Sequence, residues 1–433
     1  MEINVLSILL LFGITILLGY VGFTIFKKTK IPDIIWLMIF GIFVASFGLI
    51  DRALFLTASP LLAAIALLII LFDAGLNMDF YQMLNEFSRS LLLAILGFLF
   101  SMIAVTLVAH VFFGFDLLNA MLLGAIIGGT CSTTVISIVS VIKIKENVKT
   151  LMLLESIITD PICIVVTLAL IGMIISTGSF SAAQNIASAF SIGAMVGLIS
   201  GIIWLRLLDK VRGRPFDHML TLAIVFLLYA GVEVLGGSGA IAALLFGLVL
   251  GNGKTFSKML AMKKEYDVDP LLRTFQSEMS FFIRSFFFVY LGLIVVVNPQ
   301  YLIYGIVIAA ALLIIRFFAV QISTIGMNFT KNEKRLMTSI APRGLAAAVL
   351  AQLPISYGIP GAEMYSSIIF VVIFATVIYT SIAIRFLYRD GYENPKPEEK
   401  QLEIPAEPES ITEESHVKHR KTSHKKHARH KSR

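Results

Sequence analysis

Apolar residues in this chain fall into blocks of about twenty, separated by short polar or glycine-containing segments. A helix rises 1.5 Å per residue, so about twenty apolar residues are needed to cross roughly 30 Å of hydrocarbon. The pattern predicts an all-α protein with about thirteen membrane-spanning helices. Their approximate ranges are 4–26, 32–50, 58–76, 89–113, 118–142, 150–177, 185–207, 218–236, 239–252, 276–297, 301–326, 335–356 and 362–388.

The composition agrees with this pattern. Of 433 residues, 57% are hydrophobic and only 15% are charged, and the mean hydropathy is +0.87. Soluble domains are roughly 45–50% apolar and about 25% charged, so a soluble globular protein is excluded. Cys131 and Cys163 both lie inside apolar blocks, where small buried residues are expected rather than a disulfide.

Successive predicted connections alternate between many and few lysine and arginine residues. The odd-numbered connections carry most of them, whereas the even-numbered ones carry little beyond Arg52. Because basic loops stay in the cytoplasm, this predicts a multi-pass protein of the cell membrane with its N-terminus outside and its C-terminus in the cytoplasm. The net charge of +7 is then mostly a topology signal, and no nucleic-acid partner is expected.

The chain divides into a transmembrane domain at 1–389 and a tail at 390–433. Residues 390–415 are rich in Glu and Pro, and residues 416–433 are rich in His, Lys and Arg. This composition lacks the apolar residues needed for a core, so a disordered cytoplasmic tail is expected. It either solubilises the protein or binds anionic lipid, because basic residues are attracted to acidic headgroups and histidines titrate near neutral pH.

Six charged residues lie in or at the edge of the apolar blocks. A charge inside hydrocarbon costs at least about 2.5 to 3.5 kcal/mol, so each one needs a partner or water and is a functional candidate. These residues are Asp73, Glu155, Asp160, Arg284, Arg316 and Arg343.

The sixth block contains the densest polar cluster. At 100° per residue, Ser156, Thr159 and Asp160 lie on one helix face, and their oxygens suit a hard cation such as Na⁺, Li⁺ or K⁺. Glu155 points elsewhere and is expected to pair with a buried arginine, Arg343 or Arg284, while Arg316 is expected to be structural. The alternative for Asp160 is a hydrogen bond to a neighbouring helix.

The fifth block has a glycine pair and small polar residues at its midpoint, Gly128–Thr134. Such a helix centre predicts a break, which exposes backbone groups at membrane depth as in transporter ion sites. Thr130 and Ser132 therefore join the candidate ligands. Ala341–Gly344 predicts a second break in the twelfth block, so the chain fits two inverted six-helix repeats whose broken helices cross at the ion site. The alternative is a seam of small residues for close helix packing.

Four motifs together resemble the NhaP-like branch of the monovalent cation/proton antiporters. Glu155-Ser156-x-x-Thr159-Asp160-Pro161 resembles the family's E-S-x-x-N-D-P, and Pro342-Arg343-Gly344 resembles its G-P-R-G. Arg284 precedes a Phe-rich run, and Phe72-Asp73-Ala74-Gly75 is similar to its F-E-x-G, which makes Asp73 a further candidate ligand or a helix-end residue. The resemblance implies a homodimer in lipid, with dimerisation and core subdomains and an elevator-like movement.

Two departures from the family pattern bear on the ion. The family's T-D-P is Thr130-Cys131-Ser132 here, so its first carboxylate is missing, and its Asn before the aspartate is Thr159. The Cys131–Thr134 segment is instead similar to the S-S-T of potassium-efflux antiporters. Sodium is expected, and potassium is the alternative.

Together these residues predict a secondary antiporter rather than an enzyme, without a cofactor. Asp160 would accept either a proton or a cation, which then compete for one site, and the exchange of Na⁺ (or Li⁺) for H⁺ would be electroneutral. A channel would contain the same polar residues. An intramembrane aspartyl protease using Asp73 and Asp160 would need a Gly-x-Gly-Asp setting that Thr159-Asp160-Pro161 does not provide, and the chain has no phosphate-binding loop for an ATP-driven pump.

Overall fold

The structure is a computed structural model. It describes residues 5–29, 32–47, 52–78, 87–139, 142, 144–175, 180–211, 216–260, 266, 268, 270–296 and 298–387. The predicted disordered tail at 390–433 and its lipid contacts lie outside these residues.

Seventeen α-helices make up the described chain, and we number them in order. They are α1 (Val5–Thr29), α2 (Asp33–Ser46), α3 (Arg52–Asn77), α4 (Phe87–Leu107, continued by a π-helical turn, Val108–Phe112), α5 (Leu117–Ile127), α6 (Ser132–Val139), α7 (Glu146–Ile175), α8 (Phe180–Val211), α9 (Asp217–Val234), α10 (Gly239–Gly251), α11 (Gly253–Met259), α12 (Pro270–Ile294), α13 (Pro299–Ser323), α14 (Lys331–Ser339), α15 (Leu345–Leu350), α16 (Leu353–Ser356) and α17 (Glu363–Leu387).

The all-α architecture is confirmed, and every predicted apolar block overlaps at least one of these helices. Among the described residues, 7 segments are long and apolar enough to cross a membrane, or 8 if α10 and α11, bent by 83°, form one span. Further apolar helices are shorter, including α2, α9 and the α15–α16 segment. The count of thirteen crossings and the inverted repeat stay predictions.

The first group of helices comprises α1–α3 and α8–α12. Within it, α3 packs against α10, α10 against α8, and α2 against α12. The crossing of α2 and α12 is close because Gly41 and Gly292 face each other: a Cβ atom on Gly292 would lie 2.9 Å from the Cα of Gly41. Glycine is needed here because the two backbones touch.

The second group comprises α4–α7 and α13–α17. Here α4 packs against α5, α7 and α13, and α13 packs against α17. Both predicted breaks are present in this group. Residues 128–131 separate α5 from α6, and residues 340–344 separate α14 from α15. The first group contacts the second mainly through α3, α8 and α12.

Candidate functional site

The two breaks cross at the centre of the second helix group. The backbone N–H of Cys131 donates to the carbonyl oxygen of Pro342 at 2.8 Å, so one break binds directly to the other. Gly344 lies against the side chain of Cys131, where a Cβ atom would overlap the sulfur. The glycines and small residues that interrupt the helices are therefore also the residues that let them cross.

Arg343 satisfies the carbonyl groups that the first break leaves open. Its guanidinium donates to the carbonyl of Gly128 at 2.9 Å and also to that of Gly129, and a third bond reaches Ser101 Oγ of α4 at 3.2 Å. Only 2% of Arg343 is exposed. Because the C-terminal end of a helix carries partial negative charge, Arg343 caps α5 electrostatically as well as by hydrogen bonds.

Asp160 of α7 faces the start of the other half-helix. Ser132 is the first residue of α6, and its Oγ donates to Asp160 Oδ2 at 2.7 Å. The N-terminal end of α6 is the positive end of the helix dipole, which favours a carboxylate there. At the break, the negative C-terminal end of α5 therefore faces Arg343, and the positive N-terminal end of α6 faces Asp160.

Further hydroxyl groups lie near Asp160 in sequence on α7 and in the adjoining break. The Thr159 side chain accepts from the backbone N–H of Thr130 at 3.2 Å and donates to the carbonyl of Ser156 at 3.2 Å. Ser156 is fully buried, and its hydroxyl donates to Leu153 O at 2.9 Å. The Thr130 hydroxyl oxygen is buried and has no hydrogen-bond partner among the described residues. These oxygens keep free lone pairs that a cation could use.

Glu155 pairs with Arg316 of α13, so the predicted pairing with Arg343 or Arg284 is wrong. Both carboxylate oxygens of Glu155 accept from the guanidinium of Arg316, the second at 2.8 Å. The side chains are 2% and 4% exposed, and Arg316 Nε donates to the carbonyl of Met337 at 3.1 Å. Helical angles indicated that Glu155 points away from Asp160, but they could not identify the neighbouring helix.

Arg284 lies elsewhere, at the boundary between the two helix groups. Its Nη2 is 3.5 Å from Asp33 Oδ2 at the start of α2. A cavity of about 50 Å³ separates this pair from Thr133, Thr134 and Ser137 of α6. The pairing was not predicted, because Asp33 lies at the start of the apolar block 32–50 and its partner is on a distant helix.

Asp73 is not joined to Asp160 by any hydrogen bond or ion pair among the described residues. Its Oδ1 accepts from Asn77 Nδ2 at 3.1 Å, one turn later in α3. The structure therefore brings together Asp160, Ser132, Thr159, Thr130 and Ser156, and places Asp73 with the first helix group. Within the described chain, no three His, Cys, Asp or Glu residues converge as ligands of a metal ion.

Comparisons with known proteins all find similarity to cation/proton antiporters. The family described as sodium/hydrogen exchanger, transmembrane, matches residues 13–389. The chain is 26% identical to the K(+)/H(+) antiporter NhaP of Alkalimonas amylolytica, over 86% of this chain and 64% of that protein. It is 28% identical to the probable Na(+)/H(+) antiporter 2 of Methanocaldococcus jannaschii, over 76% of this chain and 79% of that protein.

A solved structure has the same fold. The sodium proton antiporter MjNhaP1 from Methanocaldococcus jannaschii, determined at pH 8, superposes with a TM-score of 0.74 at 23% identity. The match covers 89% of this chain and 98% of that one. The chain thus spans nearly the whole of this neighbour, but under two thirds of the NhaP antiporter of Alkalimonas amylolytica.

Proposed function

Because this chain belongs to the sodium/hydrogen exchanger family, we propose that it is a secondary antiporter that exchanges Na⁺ or Li⁺ for protons across the cell membrane. The family is one of transporters rather than enzymes. The relatives named as Na(+)/H(+) antiporters support sodium as the exchanged cation.

One observation carries the proposal: Asp160, inside the second helix group, has a hydroxyl partner in Ser132 at 2.7 Å and no cationic partner among the described residues. Asp160 is half-buried within an apolar helix group, where the charge of a carboxylate is costly unless a proton or a cation compensates it. In the cation-bound state, Asp160 supplies the charge and Ser132, Thr159, Thr130 and Ser156 supply neutral oxygens. In the protonated state, the carboxylic acid needs no cation, so the two ligands exclude each other.

The exchange of one cation for one proton follows from the surrounding charges. Position 131 is a cysteine, and Glu155 is already compensated by Arg316. Among the described residues, Asp160 is then the one carboxylate at the crossing without a cationic partner, so each cycle would move one positive charge in each direction. The proposed exchange is electroneutral.

Potassium is the second candidate cation. The NhaP antiporter of Alkalimonas amylolytica is named as a K(+)/H(+) antiporter, and the crossing here has the thiol of Cys131 where the family pattern has a second acid. A site with one charge and several neutral oxygens suits a larger, more easily dehydrated cation. The choice between Na⁺ and K⁺ depends on site size, which is a measurable property of the protein.

The two helix groups provide for alternating access. We assign the first group to a dimerisation subdomain of a homodimer and the second to a core subdomain that carries the ion, surrounded by membrane lipid. Movement of the second group past the first would expose Asp160 to one side at a time. Lys and Arg in the odd-numbered loops support an external N-terminus and a cytoplasmic C-terminus.

Exchange in proteoliposomes tests this function. Purified protein is reconstituted with a pH-sensitive dye inside, and Na⁺, Li⁺ or K⁺ is added outside at several pH values. The proposal expects proton efflux that saturates with cation concentration and is unchanged when valinomycin and K⁺ clamp the voltage. Flux that is linear in concentration indicates a channel, and flux that changes with the clamped voltage rules out one-for-one exchange.

A further inference from the structure

A basic groove opens between α13, α14 and α17, away from the ion site. It encloses about 710 Å³. Three cationic side chains from one face of α14 line it, Lys331, Lys334 and Arg335, and its other wall is aromatic and aliphatic, with Phe317 of α13 and Tyr379 of α17. We call this the basic groove.

The three cations of the groove are not neutralised within the described part of the chain. No ion pair there involves Lys331, Lys334 or Arg335. The acid on the same helix, Glu333, is engaged on the other side: it binds Lys145 at 2.8 Å and accepts from the backbone N–H of Thr330 at 2.7 Å. These two partners hold the pKa of Glu333 below its usual range, so it stays ionised and directed away.

The flanks of the groove are apolar and exposed. On α13, Ile314 is 62% exposed and Phe318 is 50% exposed. On α17, Ile382 is 51% exposed and Phe386 is 79% exposed. Because α13 and α17 are apolar and long enough to cross a membrane, these side chains lie where acyl chains surround the protein.

A cluster of cations at the end of two exposed apolar helices matches one kind of ligand. We propose that the basic groove binds an anionic phospholipid, with its phosphate against Lys331, Lys334 and Arg335 and its acyl chains along α13 and α17. Phosphate accepts charge-assisted hydrogen bonds from such side chains, and basic pockets at the membrane surface hold acidic headgroups. Tyr379, which also lines the groove, adds a hydroxyl donor.

The bound lipid would act on the helix that supports the buried ion pair. The opposite face of α14 is buried through Leu336 and Met337, and the carbonyl of Met337 accepts from Arg316 Nε at 3.1 Å. A headgroup that holds α14 therefore also holds the acceptor that orients Arg316. The site is separate from Asp160, so lipid binding can be measured whether or not the protein exchanges ions.

A tryptophan reporter tests the proposal in the full-length chain. Trp36 and Trp204 are replaced by Phe, and Phe317→Trp places a single indole in the groove. A matched reporter, Ile203→Trp, lies on exposed α8 of the first group, where Ile203 is 54% exposed. Quenching by phosphatidylglycerol with brominated acyl chains is compared with quenching by brominated phosphatidylcholine in reconstituted vesicles. The ratio gives the relative binding constant of the two lipids at each position.

The expected preference for phosphatidylglycerol is at least fivefold at the Phe317→Trp position and about onefold at Ile203→Trp, since each cation near an acidic headgroup contributes about fivefold. The triple variant Lys331→Gln, Lys334→Gln, Arg335→Gln should bring the first ratio to about one. The control variant Arg206→Gln, Lys210→Gln, Lys258→Gln loses equal charge from the first group and should leave it unchanged.

Three results would overturn the proposal. They are equal quenching by both lipids in the parent reporter, a preference that survives the triple variant, and a preference that appears only when residues 390–433 are deleted. The last result would mean that the acid-rich segment of the chain itself occupies the groove.

Discussion

The carboxylate of Glu155 and the guanidinium of Arg316 meet through two hydrogen bonds and join α7 to α13. Removing one partner leaves a buried charge uncompensated, which costs about 3 to 5 kcal/mol. We expect Glu155→Gln to lower the melting temperature in detergent markedly. Adding Arg316→Gln should restore most of the lost melting temperature, because it removes the charge that has no partner.

The specificity of that rescue is the decisive comparison. The double variant Glu155→Gln, Arg343→Gln should be no more stable than Glu155→Gln alone, because Arg343 binds the carbonyls of Gly128 and Gly129 instead. Rescue by Arg343→Gln and not by Arg316→Gln would show that the pairing described above is wrong.

Arg343→Gln should loosen the crossing of the two breaks. It leaves carbonyls at the end of α5 without donors, at about 1 to 3 kcal/mol for each buried group left unsatisfied. Local opening then exposes Cys131, which is 4% exposed and packed against Gly344. In a Cys163→Ser background, maleimide labelling of Cys131 should accelerate by about fivefold or more.

The control for this experiment is Arg206→Gln, which removes an exposed arginine from α8. Cys131 in this variant should react with maleimide at the parental rate. An Arg343→Gln protein whose Cys131 stays as unreactive as in the parent would contradict the capping role.

The sequence predicted the breaks because their cause is local. A glycine pair in one span and Pro342 in the other weaken helices wherever they stand. It also predicted that hydroxyls of the fifth block and Asp160 belong to one site, and the Ser132–Asp160 bond joins them. Both predictions depend on periodicity within a single segment.

Pairings between distant segments could not be predicted. Arg316 lies 161 positions from Glu155, and Arg343 and Arg284, the two predicted partners, carry the same charge. The choice depends on how α7 and α13 pack, which no residue near either position determines. Asp33 and Ser101 were missed for the same reason, because each gains its role only from an arginine in a distant segment.

The close crossing of α2 and α12 should not tolerate a side chain. In Gly292→Ala, the new methyl group would meet the carbonyl of Met38 and lie 2.9 Å from the Cα of Gly41. Overpacking of this kind costs about 1 to 3 kcal/mol, or more where backbone must move. We expect less folded protein on size-exclusion chromatography and a lower melting temperature.

Gly231→Ala is the matched control for that substitution. Gly231 lies within helix α9, and a Cβ atom there meets nothing within 4 Å. Because alanine favours helix over glycine by about 0.5 to 1 kcal/mol, this variant should be as stable as the parent or slightly more so. An equal loss of folded protein and of melting temperature in both variants would contradict the packing argument.

The hydroxyls beside Asp160 should affect cation affinity more than maximal rate. Ser132→Ala removes the donor that binds Asp160 at 2.7 Å, and Thr159→Ala removes the oxygen that accepts from Thr130. Each lost interaction is of the order of 0.5 to 1.5 kcal/mol, which corresponds to about a 2- to 10-fold weaker apparent affinity. Ser132→Thr keeps the hydroxyl and should stay close to the parent. A changed maximal rate at unchanged affinity would exclude these groups as ligands.

The most direct test of the exchange mechanism is cation-driven proton flux by Asp160→Asn in proteoliposomes. Asparagine has nearly the same shape but carries neither the charge that holds a cation nor the proton that replaces it. We predict no flux with Na⁺, Li⁺ or K⁺ at any pH, from protein that elutes and melts as the parent does. Glu363→Gln, which removes an exposed acid at the start of α17, should exchange normally. Flux by Asp160→Asn above that of protein-free liposomes, with any of the three cations, would contradict the assignment of Asp160 as the shared site of cation and proton.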